Sequence, residues 1–230
     1  MQPVALLPIS LVEEYCPNLA FHEVEGVLPF SCQVERMARA QNIAGLVVVT
    51  TLEGADDAIA AFCTEHGLDC HRGPSGDWLG LLVQALEAAG RKGAILVRPD
   101  SPLIDPAVID HVANLVELTD GMLDFVGTTL APTYPQGMDV EGFTLAALKD
   151  SHHRCADPGE RADATHYLRS HSKLYRILSV KPEAHLHRPD LSLALRGPED
   201  LPRYAAIRAH FNSRPDYTMT ELVTFVDGSA

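Results

Sequence analysis

The stretch GAILVRPDSPLIDPAVIDHVANLVEL, residues 93–118, decides the fold. Ile95, Leu96 and Val97 form a continuous apolar run, as expected of a strand buried on both faces. The run stops at Arg98, Pro99 and Asp100, and a second Asp-Pro pair then opens a helical pattern. Asp105 is placed to cap that helix, and Pro106 takes its first position, where a missing N–H costs nothing. In open parallel sheets ligands sit beyond the carboxyl ends of the strands, which is where Asp100 falls. Two readings of Asp100 stand side by side. It is a turn acid capping backbone N–H groups, or a carboxylate that holds Mg²⁺ beside phosphate oxygens.

The flanking sequence repeats the same alternation. VALLPI (residues 4–9) and GLVVVTT (45–51) read as buried strands. SCQVERMARAQN (31–42) lies between them and places Cys32, Val34, Met37 and Ala40 on one helical stripe. DDAIAAFCTEHG (56–67) has acids in its first turn and Gly67 at its end, and LDCHRG (68–73) is a short edge segment. DWLGLLVQALEAAG (77–90) has Asp77 as N-cap and Gly90 as stop. Strands separated by helices of this length imply parallel pairing through right-handed crossovers. The second half is less regular. FVGTTLAPTYPQGMDVEGFT (125–144) has strand composition broken by Pro and Gly, as in an insertion or arm. GPEDLPRYAAIRAHF (197–211) and YTMTELVTFVDG (217–228) are late helices.

The 230 residues, 46% of them hydrophobic, are enough for one large core with a small appendage, so one domain over 1–230 is expected. No apolar run reaches the roughly 18–20 residues of a membrane span, and MQPVALLPIS lacks the positive start of a signal peptide. Five cysteines, odd in number and without a CxxC pair, fit reduced thiols in a cytoplasmic protein. A net charge of −13 without clustered Lys or Arg argues against a nucleic-acid partner.

Several residues could carry chemistry. PTYPQGMDVE (132–141) presents Thr133, Tyr134, Asp139 and Glu141 from a backbone stiffened by prolines, either as a holder for a polar small molecule or as an irregular crossing with no ligand. His152 and His153 diverge on a helix, and His185 and His187 would share a strand face. Neither pair makes a metal set with a cysteine, so surface or partly buried histidines are expected. The G-x-S-x-G, H-E-x-x-H, Walker A and G-x-G-x-x-G patterns do not occur, and covalent catalysis has no support.

Taken in order, RPDSPLIDPAVID (98–110), PTYPQGMDVEGF (132–143), DLSLALRGPEDL (190–201) and YTMTELVTFVD (217–227) resemble the spore-coat-polysaccharide type of cytidylyltransferase, grouped with the CMP-sugar synthetases for sialic acid and Kdo. TTLEGADDAIAAFCTEHGLDCHRG (50–73) fits the same group. The resemblance implies a three-layer α/β fold of the Rossmann-like nucleotidyltransferase type, with a mostly parallel sheet and a small dimerisation arm at about 125–190. It implies CTP and Mg²⁺ as ligands, and transfer of CMP to a sugar acid or similar acceptor in surface glycan biosynthesis. A homodimer is implied as well. Asp100 matches the catalytic, metal-holding carboxylate. Thr133, Tyr134, Gly137, Asp139 and Glu141 match the acceptor-side loop, and Thr50, Thr51 and Arg72 lie where the nucleotide pocket is built.

Three departures accompany the matches. Where the family has a Gly-rich loop with cations, this chain reads PISLVEEYCPNLAF (8–21), with Pro17 kept and Glu13 and Glu14 introduced, acids that would repel a triphosphate. Where the family places a second metal-site aspartate, this chain has Arg196. Before Asp100 stands Pro99, not glycine. Two expectations follow. One is a working cytidylyltransferase with an unusual grip on CTP. The other is a non-catalytic homologue with a binding, regulatory or partner role, in which Arg196 approaches Asp100 and takes the metal's place.

Overall fold

Strand β1 (Val4–Pro8) is buried along its whole length and divides two cores by simple alternation. Ala5 and Leu7 enter one hydrophobic cluster, Val4 and Leu6 the other. The computed structural model describes residues 1–12, 18–119, 121–211 and 214–229. Strands β2 (Leu46–Thr51), β3 (Asp69–Gly73), β4 (Gly93–Val97), β5 (Phe125–Gly127), β6 (Val140–Thr144) and β7 (Ile177–Ser179) complete a seven-stranded sheet in the order β3-β2-β1-β4-β6-β5-β7. β1 through β4 run parallel, β6 is antiparallel to both β4 and β5, and β7 pairs parallel with β5. The sheet is therefore mostly parallel, as the β-α alternation requires.

The helices are α1 (Pro29–Met37), α2 (Asp57–His66), α3 (Trp78–Ala88), α4 (Pro106–Leu118), α5 (Leu145–Arg154), α6 (Pro158–Arg161), α7 (His166–Ser170), α8 (Leu201–His210) and α9 (Met219–Gly228). Phe30 and Met37 of α1, Ile59 of α2, Ile109 and Val112 of α4, Ile207 of α8 and Leu222 of α9 pack on the Ala5–Leu7 face. Leu79, Leu82 and Leu86 of α3, Leu148 of α5 and Leu168 of α7 pack on the opposite face. Each such side chain contributes about 1.5–3 kcal/mol on burial. The result is three layers, with helices on both faces of the sheet.

The helix boundaries follow side-chain chemistry. Asp77 accepts from the Gly80 amide, Asp105 from the Ala107 amide, and Gly67 closes α2 in the left-handed conformation at φ 64°. The second oxygen of Asp105 accepts from the Met219 amide at 2.5 Å, so one carboxylate starts α4 and anchors α9. Of the expected stripe, Val34 and Met37 of α1 and Ala40 just beyond it are buried, while Cys32 is only partly so. The unexpected member is Arg36, 1% exposed, which donates to the carbonyls of Ile104, Pro215 and Tyr217. β6 enters the sheet under α4 because Gly142 has no side chain. A Cβ there would lie 2.5 Å from Cγ2 of Val116.

One local expectation fails. His185 and His187 do not share a strand face, because residues 184–186 form a short 3₁₀ turn. The expectations placed on Glu13, Glu14 and Pro17 lie outside the described residues.

Candidate functional site

At the end of β4 the chain turns through Arg98 and Pro99, and Asp100 is left 4% exposed. Its backbone carbonyl accepts from the Leu195 amide at 2.8 Å, which brings the distant 191–196 segment alongside. Residues 136 and 192 form a parallel bridge, with Gln136 and Leu193 exchanging a further bond of 2.7 Å. Gly137 makes this approach possible. It holds φ at 89°, and a Cβ there would sit 2.7 Å from the Ala194 amide nitrogen. Three segments far apart in sequence are thus stitched together beyond the carboxyl end of β4.

The stitching sets Arg196 on Asp100. Nε of Arg196 donates to Oδ2 of Asp100 at 2.8 Å, and Nη1 donates to Oε1 of Gln136 at 3.0 Å. Nη2 lies 3.9 Å from Oδ2 of Asp139. The Arg196 backbone is itself fixed, its amide donating to Asp200 at 2.9 Å. Oδ1 of Asp100 accepts from the Ser101 hydroxyl at 3.3 Å and lies 3.6 Å from Nε of Arg98. Asp100 is therefore no ordinary turn acid: the partners of its carboxylate are side chains, two of them guanidiniums. Burial pushes the Asp139 carboxyl above the usual carboxylate range, and the neighbouring Asp100 charge adds to the shift.

Glu141, 7% exposed, is held from the other side. It accepts from Thr129 at 2.6 Å and from Thr165 at 2.5 Å, with Nε of Arg169 at 3.3 Å. Thr133 and Tyr134 are buried, and desolvation raises the Tyr134 phenol. These residues, with Arg98, Gln136 and Arg169, surround a cavity of about 300 Å³. Its lining mixes both signs of charge with hydroxyls, suiting a polar acid better than an apolar body.

Thr51 and Arg72 belong to a separate network at the ends of β2 and β3, and the buried Thr50 hydroxyl beside them has no hydrogen-bond partner among the described residues. Both threonines are 0% exposed. Oγ1 and the amide of Thr51 donate to Oδ2 of Asp56, whose other oxygen accepts from the Leu11 amide at 2.7 Å. Arg72 donates to the Thr51 carbonyl at 2.9 Å and pairs with Asp57 at 2.8 Å. Asp56, fully buried at the centre of this network, was not singled out from the sequence, where it reads as one of two acids starting a helix. Arg169 and Thr165 were missed as well, since nothing in their local sequence ties them to Glu141.

A divalent cation does not fit the residues as they stand. Both oxygens of Asp100 are engaged, and a guanidinium lies between the Asp100 and Asp139 carboxylates where oxygen ligands would have to converge. Among the described residues no group of three or more His, Cys, Asp or Glu is arranged to hold a metal.

Comparison with known proteins places this geometry. No family model matches the chain. The spore coat polysaccharide biosynthesis protein SpsF of Bacillus subtilis is 26% identical over 182 residues, which are 79% of this chain and 74% of that protein. The 3-deoxy-manno-octulosonate cytidylyltransferase of Acidovorax sp. (strain JS42) is 32% identical over 117 residues, 48% of this chain and 42% of that one. A solved cytidylyltransferase from Leptospira borgpetersenii superposes with a TM-score of 0.93 at 20% identity, covering 100% of this chain and 95% of its own. The chain is thus similar in sequence to the spore-coat protein and to the cytidylyltransferase named above. It has the Rossmann-like nucleotidyltransferase fold of the solved structure, in line with the resemblance carried by the four ordered motifs. The three segments of the Asp100 cluster come from three of those motifs: residues 98–110, 132–143 and 190–201.

Proposed function

We propose that the chain is a cytidylyltransferase-like protein with an altered site. CTP and a sugar acid are its ligand class, and Arg196 is a fixed cation at Asp100 in place of a metal. The supporting observation is the 2.8 Å contact from Arg196 to a buried Asp100. A fixed guanidinium supplies positive charge, but it offers no open coordination position for phosphate oxygens. On this reading the protein binds nucleotide and acid without turning them over at a cytidylyltransferase's rate. Arg72, being partly exposed, would meet the nucleotide, whereas the enclosed Thr50 and Thr51 shape the strand end behind it. Arg98 and Arg169 would meet the acid in the cavity beside Glu141. Two guanidiniums suit a carboxylate.

Thermal stabilisation by CTP, with and without Mg²⁺, tests binding; pyrophosphate release with a panel of sugar acids tests turnover. The expected result is stabilisation by CTP that Mg²⁺ does not change, with no pyrophosphate. Stabilisation at 100 times the dissociation constant amounts to roughly 2.7 kcal/mol. Mg²⁺-dependent release of pyrophosphate by the unmodified protein overturns the altered-site reading, and no shift with any nucleotide overturns the binding reading.

A second reading has one observation in its favour. The Arg196 side chain is 49% exposed, so it has a path to solvent. If it leaves Asp100 when CTP and Mg²⁺ arrive, the protein is a working Mg²⁺-dependent cytidylyltransferase. Both readings carry a homodimer built on the 132–143 region, which light scattering checks as a mass of twice 25.0 kDa.

A further inference from the structure

A second cavity, of about 490 Å³, opens between α1, α2 and α8 and shares no lining residue with the one beside Glu141. Nothing in the nucleotide reading uses it. Its walls are largely aromatic and aliphatic. Phe62 stacks on His66 at 4.0 Å, Phe211 stacks on Tyr217 at 4.3 Å, and Val27 and Leu68 complete the apolar surface. A volume of this size suits a small organic molecule, and an aromatic lining suits an aromatic one.

The charge of the lining gives the ligand its sign. Three guanidiniums face one carboxylate, that of Glu35. Two of the three are already spent. Arg36 donates to three backbone carbonyls beneath the Tyr217 ring, and Arg214 pairs with Asp216 and Glu221. Arg208 is different. Its Nη1 donates to the Cys32 sulfur at 2.8 Å, a weak acceptor, and the Tyr204 phenol lies against the same guanidinium. Nε of Arg208 is buried and meets no acceptor in hydrogen-bonding geometry. A buried donor without an acceptor is costly, and here it belongs to a guanidinium at one end of an apolar cavity.

We propose that this cavity is a binding site for a small aromatic anion, its ring between the Phe62 and Phe211 walls and its carboxylate or phosphate on Arg208. The anion replaces the Cys32 sulfur as acceptor, and the guanidinium turns its Nε and Nη fork toward two oxygens at once, a stronger arrangement than a single N–H to sulfur. Recognition by charge and ring together separates such a ligand from a bare anion and from a neutral hydrocarbon.

The probe is 1-anilinonaphthalene-8-sulfonate, a fluorescent aromatic anion, titrated into the full-length protein beside its uncharged analogue N-phenyl-1-naphthylamine. One saturable site is expected for the sulfonate. Binding should weaken about tenfold or more in Arg208→Gln and be restored in part by Arg208→Lys, with unchanged melting curves confirming that both variants are folded. The uncharged dye should bind both forms alike. Alkylation of Cys32, followed by mass spectrometry, should slow in the presence of the sulfonate while that of the exposed Cys70 does not. Phenyl phosphate and benzoate should displace the dye, and their relative potency tells which headgroup the site prefers. Inorganic phosphate alone should fail to displace it. Equal affinity in wild type and Arg208→Gln, or displacement of the dye by CTP, would overturn the proposal.

Discussion

Two clusters at the carboxyl edge of the sheet use the same materials and build different things. At the ends of β2 and β3, the fully buried Asp56 carboxylate takes up the Thr51 hydroxyl, the Thr51 amide and the Leu11 amide. Beyond β4, Asp100 is equally deep, but its principal partner Arg196 is half-exposed and reaches across to Gln136 and Asp139. The first is closed around a carboxylate held by three donors of the protein itself. The second is open on one side, with charges of both signs around a cavity. A closed knot holds the strand ends in register; an open one leaves charged side chains facing a cavity.

Removing each carboxylate should expose the difference. Asp56→Ala leaves two buried amides and a hydroxyl without an acceptor, and urea unfolding should show a loss of about 3 kcal/mol. Gly137→Ala should come next, at about 2–3 kcal/mol, because a Cβ at positive φ meets the backbone of residue 194. In that variant the Asp100 cluster should loosen while the Asp56 knot keeps its amide-exchange protection. Asp100→Asn should cost only about 1 kcal/mol, since Arg196 can turn to water once its partner is neutral. A larger loss for Asp100→Asn than for Asp56→Ala would erase the distinction between the two clusters.

The smallest expected effect is a pH dependence at Asp139. Its carboxyl is raised in the folded protein, by burial first and by Asp100 second, so the folded state holds its proton to a higher pH than the unfolded state does. Ionised Asp139 therefore weakens the fold at neutral pH. That penalty lifts as pH falls through the raised value and is gone below the ordinary carboxylate range of about 3.9. Asp139→Asn should be the more stable protein at pH 7, and the gap should close on acidification. A gap that stays constant with pH would mean that the carboxyl is not raised.

Most of the fold was legible because its signals are local. The apolar runs of β1, β2 and β4, the caps Asp77 and Asp105 and the stop at Gly67 each depend on a few neighbouring residues. The approach of Arg196 to Asp100 was legible through the substitution in one of the ordered motifs. What stayed hidden depends on contacts across the chain. Asp56 reads as a helix-start acid until Leu11 is seen to bond it, and Arg169 reads as a surface cation until α7 packs it against Glu141. Arg36 has the spacing of a core position and the chemistry of a surface one. Only the three carbonyls that meet it explain its burial. His185 and His187 failed for the converse reason, since an alternating pair is a strand signal only where a neighbouring strand exists.

The most direct test of the altered site is a crystal structure of the protein soaked with CTP and Mg²⁺. Arg196 should remain on Asp100 with its Nε at hydrogen-bonding distance, and no metal should lie between Asp100 and Asp139. An ordered Mg²⁺ on Asp100, with Arg196 swung into solvent, would contradict it.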